Sequence, residues 1–172
     1  MLIRRESVTD LEVVDTILRA AFADPESAAE PIEVRLVREL RGDVGWVPAL
    51  SLVAEDEPGT VVGHVVCTIG SVNGGTALGL GPLAVLPDHQ RTGVGTALMH
   101  AVLGAADALG YAVVVLLGHL DYYPRFGFVP ARTLGITPTD SAWGDHFQAR
   151  PLSAWSAAVT GTFRYAAPFD RL

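Results

Sequence analysis

Between Gly93 and Gly118 the chain carries a single formal charge, Asp107. A run this long exceeds the ~20 residues that cross a bilayer, so it must enter a membrane or be buried within a fold. Periodicity decides between the two. Val94, Leu98, Val102, Ala105 and Leu109 fall on one helical face, Thr96, His100, Gly104 and Asp107 fall on the other, and Gly110 stops the helix. The rest of the run, residues 111–117, reads as an almost wholly apolar strand suited to burial on both faces of a sheet. Upstream, residues 77–86 form another strand, interrupted at Gly81-Pro82, where a proline implies an edge or a bulge and pairing should fail. Strand, Gly-rich turn, helix and strand make a βαβ unit, with residues 78–85 and 112–117 as its parallel pair.

The flanking segments supply further layers. Residues 2–6 read as a first strand, and Thr9 or Asp10 caps a helix with the stripe Leu11, Val14, Ile17, Leu18, Ala21 and Phe22. A shorter helix over residues 31–40 turns Leu36, Val37 and Leu40 inward. Residues 50–55 and 61–69 form a hairpin about the turn at residues 56–59. In its second strand Val61, Gly63, Val65, Cys67 and Ile69 share one face, and Val62, His64, Val66 and Thr68 the other. Cys67 and His64 therefore read first as packing residues. Asn73-Gly74-Gly75 turns the chain into the βαβ unit. Beyond it, residues 121–126 make one or two helical turns. Strands are expected at residues 127–130, 146–152 and 160–165, with a short helix at residues 153–157.

Composition narrows the chemistry. The 172 residues fit one domain, 1–172, and 49% hydrophobic against 18% charged residues exclude a disordered chain. Nineteen acidic against twelve basic residues give a net charge of -7, which repels phosphate backbones, so no nucleic acid partner is expected. All twelve basic residues are Arg, which removes lysine Schiff-base and Walker A chemistry. Cys67 is a lone cysteine, and His64, His89, His100, His119 and His146 lack metal-type spacing, so no metal is expected. The early charges Arg4, Arg5 and Glu6 do not suit a secretory signal; the expected location is the cytoplasm, with no membrane partner.

Gln90-Arg91-Thr92-Gly93-Val94-Gly95 lies at the strand-to-helix junction, where unpaired backbone N–H groups and the positive helix end can hold a phosphate. By itself this spacing equally describes a plain turn. A dinucleotide GxGxxG site would need a small residue where Leu98 stands.

The same segment resembles the central Gln/Arg-x-x-Gly-x-Gly/Ala motif of the GNAT superfamily of acetyl-CoA-dependent N-acetyltransferases. Leu83-Ala84-Val85-Leu86-Pro87 is similar to the apolar strand before that motif, and Tyr122-Tyr123-Pro124-Arg125-Phe126-Gly127-Phe128 to the family's aromatic block. Within the superfamily the likeness is to the YhbS-like acetyltransferases, from Leu2 through Phe147-Gln148-Ala149-Arg150-Pro151-Leu152 to Tyr165 and Phe169.

The resemblance implies an α/β GNAT fold of the mixed α+β kind: a twisted, mixed central sheet, splayed between its fourth and fifth strands, with flanking helices. It implies acetyl-CoA (CoA) as cosubstrate. Backbone groups of Leu83, Ala84 and Val85 would pair with pantetheine, and Gln90, Arg91, Thr92, Gly93, Val94, Gly95 and Thr96 would surround the pyrophosphate. Arg91 either adds charge to the phosphates or is a solvated surface group. Tyr123 occupies the place of the acid that protonates the departing thiolate, against plain packing, while Tyr122 packs or lines the acceptor pocket. The strand before the motif, residues 77–86, contains no carboxylate, so the base stays open among His119, Asp121, Glu33 and His64, and Gly118-His119-Leu120 departs from the family's Gly-Asp-Pro. The implied activity is direct transfer of acetyl to a primary amine of a small molecule or protein, the acceptor unidentified. The alternative is a non-catalytic acyl-CoA-binding sensor; a homodimer is left open.

Overall fold

The computed structural model describes residues 1–171. At the N-terminus, Ser7 N–H and the Ser7 hydroxyl each bond the Asp10 carboxylate at 2.7 Å, and Arg4 of strand β1 (Leu2–Arg5) bonds it at 2.7 and 2.9 Å. This capping turn launches helix α1 (Leu11–Ala21), whose Val14, Ile17 and Leu18 are buried. Helix α2 (Ile32–Leu40) starts just after Pro31 and buries Val34, Leu36, Val37 and Leu40.

The Arg4 guanidinium, joined by Ser7, holds the Asp10 carboxyl well below the usual carboxylate range against the opposing effect of burial. The unfolded chain therefore takes up this proton at higher pH than the fold does. The pair stabilises the fold fully above the ordinary carboxylate pKa of about 4, and its contribution fades as pH falls below it. Asp10→Asn should cost roughly 2 kcal/mol at neutral pH. Urea denaturation across pH checks this: the gap from the parent should narrow below about pH 4, and a gap constant in pH would contradict it.

Strands β2 (Trp46–Glu55), β3 (Val61–Val72), β4 (Gly75–Val85), β5 (Val113–Leu117), β6 (Val129–Pro130) and β8 (Phe147–Pro151) join β1 in one sheet of order β1-β2-β3-β4-β5-β8-β6. Along this path β4–β5 pair parallel and the other neighbours antiparallel. β9 (Gly161–Arg164) pairs with the end of β3 through Ser71↔Arg164 and Val72↔Phe163, and with the short β7 (Ile136–Thr137). Helix α3 (Val94–Ala108) packs on one face against Leu52, Val65, Cys67 and Leu116; α1 and α2 cover Val53, Val61 and Ala84 on the other. Among the described residues no helix is long and apolar enough to cross a membrane, because the apolar run divides into α3 and β5.

Several expectations change in detail. The parallel pair is confined to Leu78↔Val114 and Gly79↔Val115, after which β4 and β5 part. Gly81-Pro82 is a bulge, as its proline leads one to expect: Val65 pairs with Leu83 but Cys67 with Leu80, which leaves both residues opposite Val66 alone, and pairing with β5 has ended at Gly79. A second irregularity, between Ala54↔Gly63 and Glu55↔Val61, reverses the alternation of β3, so Val61 packs toward α1 and Val62 toward α3. On α3 the buried stripe runs through Leu98, Val102 and Ala106 with Met99 and Leu103, leaving Leu109 51% exposed past the helix end. Residues 153–157 form turns and no helix, since Asp107 accepts the Ser153 N–H and hydroxyl at 2.7 and 2.9 Å.

His64 is fully buried, its Nε2 3.0 Å from Ser51 Oγ and 3.2 Å from Glu6 Oε2. Burial pushes the Glu6 carboxyl up, but His64, Ser51 and Arg41 outweigh it and leave Glu6 below its ordinary range. Cys67 is also fully buried, and that burial drives its thiol upward, far from thiolate chemistry.

Candidate active site

β4 sends its last residues along a gap that no strand fills among the described residues. Leu86 N–H bonds Val62 O at 2.9 Å, so alternation turns the backbone of Ala84 toward β3 and that of Leu83 and Val85 toward the gap. There Gln90 Nε2 donates to Val85 O at 3.2 Å. Leu83 and Val85 are thus available for edge pairing, whereas Ala84 is occupied with β3 and packs its methyl against the α1 side.

The next turn is built to leave donors free. Gln90 N–H bonds Pro87 O, and the next backbone N–H to reach a carbonyl is that of Ala97, which bonds Gly93 O at 3.0 Å. The amides of residues 91–96 therefore have no backbone partner among the described residues. They open onto a cleft of about 640 Å³ lined by Leu83, Val85, Gln90, Arg91, Gly93, Gly95, Thr96, Tyr122 and Arg125. Gly93 adopts φ +99°, a conformation that favours glycine. Gly95 is needed for closeness, because a Cβ there would lie 2.8 Å from the Tyr122 hydroxyl. Val94 contributes only backbone, its side chain being buried under α3, and the Thr92 hydroxyl donates to His89 O at 2.6 Å.

Two tyrosines flank the gap differently. Both of their N–H groups bond His119 O, at 3.2 and 3.3 Å, and the rings meet edge to face at 5.0 Å. Tyr122 reaches back to Gly95 and Thr96, with the Arg125 guanidinium 4.9 Å from its ring centre. Tyr123 turns inward and lays its ring on Gly118, where any Cβ would collide with it. Burial, aided by neighbouring Tyr122, pushes the Tyr123 phenol up to about 12, so it is protonated at neutral pH.

The acetyltransferase (GNAT) domain family matches residues 48–130, the stretch from β2 to β6 that holds the bulge, the amide turn and both tyrosines. Over 174 residues, 99% of both chains, the protein is 35% identical to the uncharacterized N-acetyltransferase YhbS of Escherichia coli K12. The chain belongs to the GNAT N-acetyltransferases. Its structure also matches the crystal structure of E. coli YhbS in complex with CoA, with a TM-score of 0.86 and 33% identity over 99% of this chain and 92% of that one. A GNAT family acetyltransferase from Brucella melitensis, crystallised with acetyl-CoA, matches with a TM-score of 0.79 and 32% identity, over 98% and 97% of the two chains.

In this GNAT domain none of the four base candidates lines the cleft. His64 is engaged by Ser51 and Glu6, Glu33 stands on α2, Asp121 is exposed, and His119 borders a separate hollow with Leu117, Trp143 and His146. The sequence reading missed Arg125 and gave Tyr122 to packing or the acceptor pocket, whereas its ring lines the cleft beside Gly95 and Thr96. The signal for both lay in the aromatic block: a 3-10 turn over Tyr123–Phe126 brings Arg125 back over Tyr122.

Proposed function

We propose that this GNAT enzyme moves an acetyl group from acetyl-CoA directly to a primary amine. The observation that carries the reading is the row of unpartnered amides at residues 91–96, facing a cleft that also holds the open β4 edge and two arginines. The amides and the positive end of α3 suit a pyrophosphate. Arg91 and Arg125 add charge in a chain whose net charge is -7. Leu83 and Val85 offer strand-like pairing to the pantetheine amides, and Tyr123 holds the proton that the departing thiolate needs. No thiolate is available for an acyl-enzyme, since Cys67 is buried and its thiol driven upward. The CoA and acetyl-CoA complexes of the two relatives support this choice of cosubstrate.

The sensor reading draws on one feature, the absence of all four base candidates from the cleft lining. Calorimetry with CoA, followed by thiol release from acetyl-CoA across a panel of amines, separates the two. Acceptor-dependent release is expected; CoA binding without release by any amine would favour the sensor, and no CoA binding would remove both.

A further inference from the structure

At the point where β4 and β5 part, a residue from the C-terminal tail fills the fork. Gly79 and Val115 form the last pair of the two strands, and the Tyr165 ring lies directly on Gly79, where a Cβ would be 2.5 Å from a ring carbon. Its hydroxyl lies toward the Leu117 backbone on β5, so the ring extends from one strand toward the other just past their last pair. Tyr123 stands near that hydroxyl, its own ring laid on Gly118. Leu80, Leu116 and Cys67 belong to the core on the α3 side of these strands.

Tyr165 has little freedom to yield. Phe163 meets its ring at 4.7 Å and 90°, Phe169 at 4.5 Å and 31°, and Trp143 at 6.2 Å and 66°. A phenol packed on three sides cannot swing aside without opening voids, and close-packed interiors resist such rearrangement.

We propose that Tyr165 sets the upper limit on the acyl chain that this enzyme accepts from CoA, admitting two carbons and excluding four or more. The inference rests on the CoA reading of the cleft. An arm lying along β4 with its phosphates at residues 91–96 passes Val85 and then Leu83, so its acyl end points to the bulge and the fork beyond. Tyr165 closes that direction. It takes no part in bond-making: the thioester C–S bond breaks and an amide C–N bond forms whatever the chain length. Longer chains lose because each added methylene must displace a braced ring or find another exit.

The test is calorimetric and needs no acceptor. CoA, acetyl-CoA, butyryl-CoA and hexanoyl-CoA are titrated into the parent, Tyr165→Ala, Tyr165→Leu and Tyr165→Phe. The parent should bind CoA and acetyl-CoA alike, and butyryl-CoA and hexanoyl-CoA about tenfold or more weakly. Tyr165→Ala should bring butyryl-CoA to the affinity of acetyl-CoA, while Tyr165→Phe, which keeps the ring, should preserve the discrimination. Tyr165→Leu serves should the Ala variant fail to fold, as judged by its thermal transition. Equal binding of all four ligands by the parent overturns the proposal, as does discrimination that persists in a folded Ala or Leu variant. Failure of CoA itself to bind the parent would instead strike the cofactor reading.

Discussion

Tyr123→Phe should lower the rate of acetyl transfer by ~10²–10⁴, the range for one positioned proton donor. The substitution keeps the ring that packs on Gly118 and against Phe128 at 5.9 Å, so the fold and CoA affinity should persist. The loss belongs in kcat because the proton matters when the thiolate departs, not when the substrate binds. A phenol held at about 12 stays protonated across neutral pH, so this donor should impose no falling limb on the rate below about pH 10. Tyr122→Phe is the contrasting variant. Its hydroxyl sits beside Gly95 and Thr96, and its removal should touch CoA affinity more than kcat. Full kcat in Tyr123→Phe, with product release shown not to be limiting, would return Tyr123 to a packing role.

Gly93→Asp should weaken CoA binding by roughly ten- to a hundredfold. Two effects combine: a side chain at φ +99° costs about 1–2 kcal/mol of backbone strain, and a carboxylate enters a turn of free amides, which on the proposed reading would face the phosphates. Gly93→Ala separates them, since it carries the strain without the charge. The excess loss in Asp over Ala should shrink as salt rises, because screening acts only on the charge. Calorimetry at two ionic strengths measures this; a Gly93→Asp variant that is folded and binds CoA like the parent would remove the amide turn from the phosphate site.

Much of this molecule was legible in one dimension. The run between Gly93 and Gly118 had to be a helix and a strand because a period of 3.6 residues followed by a solid apolar stretch has few other solutions. The amide turn was readable for the same local reason: a helix that opens on Gly93-Val94-Gly95 leaves its first amides unpaired whatever lies far along the chain, although the spacing by itself described a plain turn equally well. Gly81-Pro82 announced an interruption, though not whether it lay at an edge or inside the sheet.

What the tertiary structure decided concerns residues whose meaning comes from partners far along the chain. Ala84 matched the family strand as well as its neighbours did, yet the register with His64 commits its backbone to β3 and leaves Leu83 and Val85 for the cleft. Val61 and Val62 exchanged faces through one irregular pair, which no alternation rule can anticipate because the displaced residue lies in the pairing and not in the composition. Tyr165 showed only a place in the tail; its position in the fork depends on Gly79, eighty-odd residues earlier, having no side chain. The sequence alone determined the layers, the βαβ unit and the amide turn, since periodicity and backbone chemistry are local. The tertiary structure alone decided which groups face the gap between β4 and β5, since that follows from where two strands stop pairing and what packs between them.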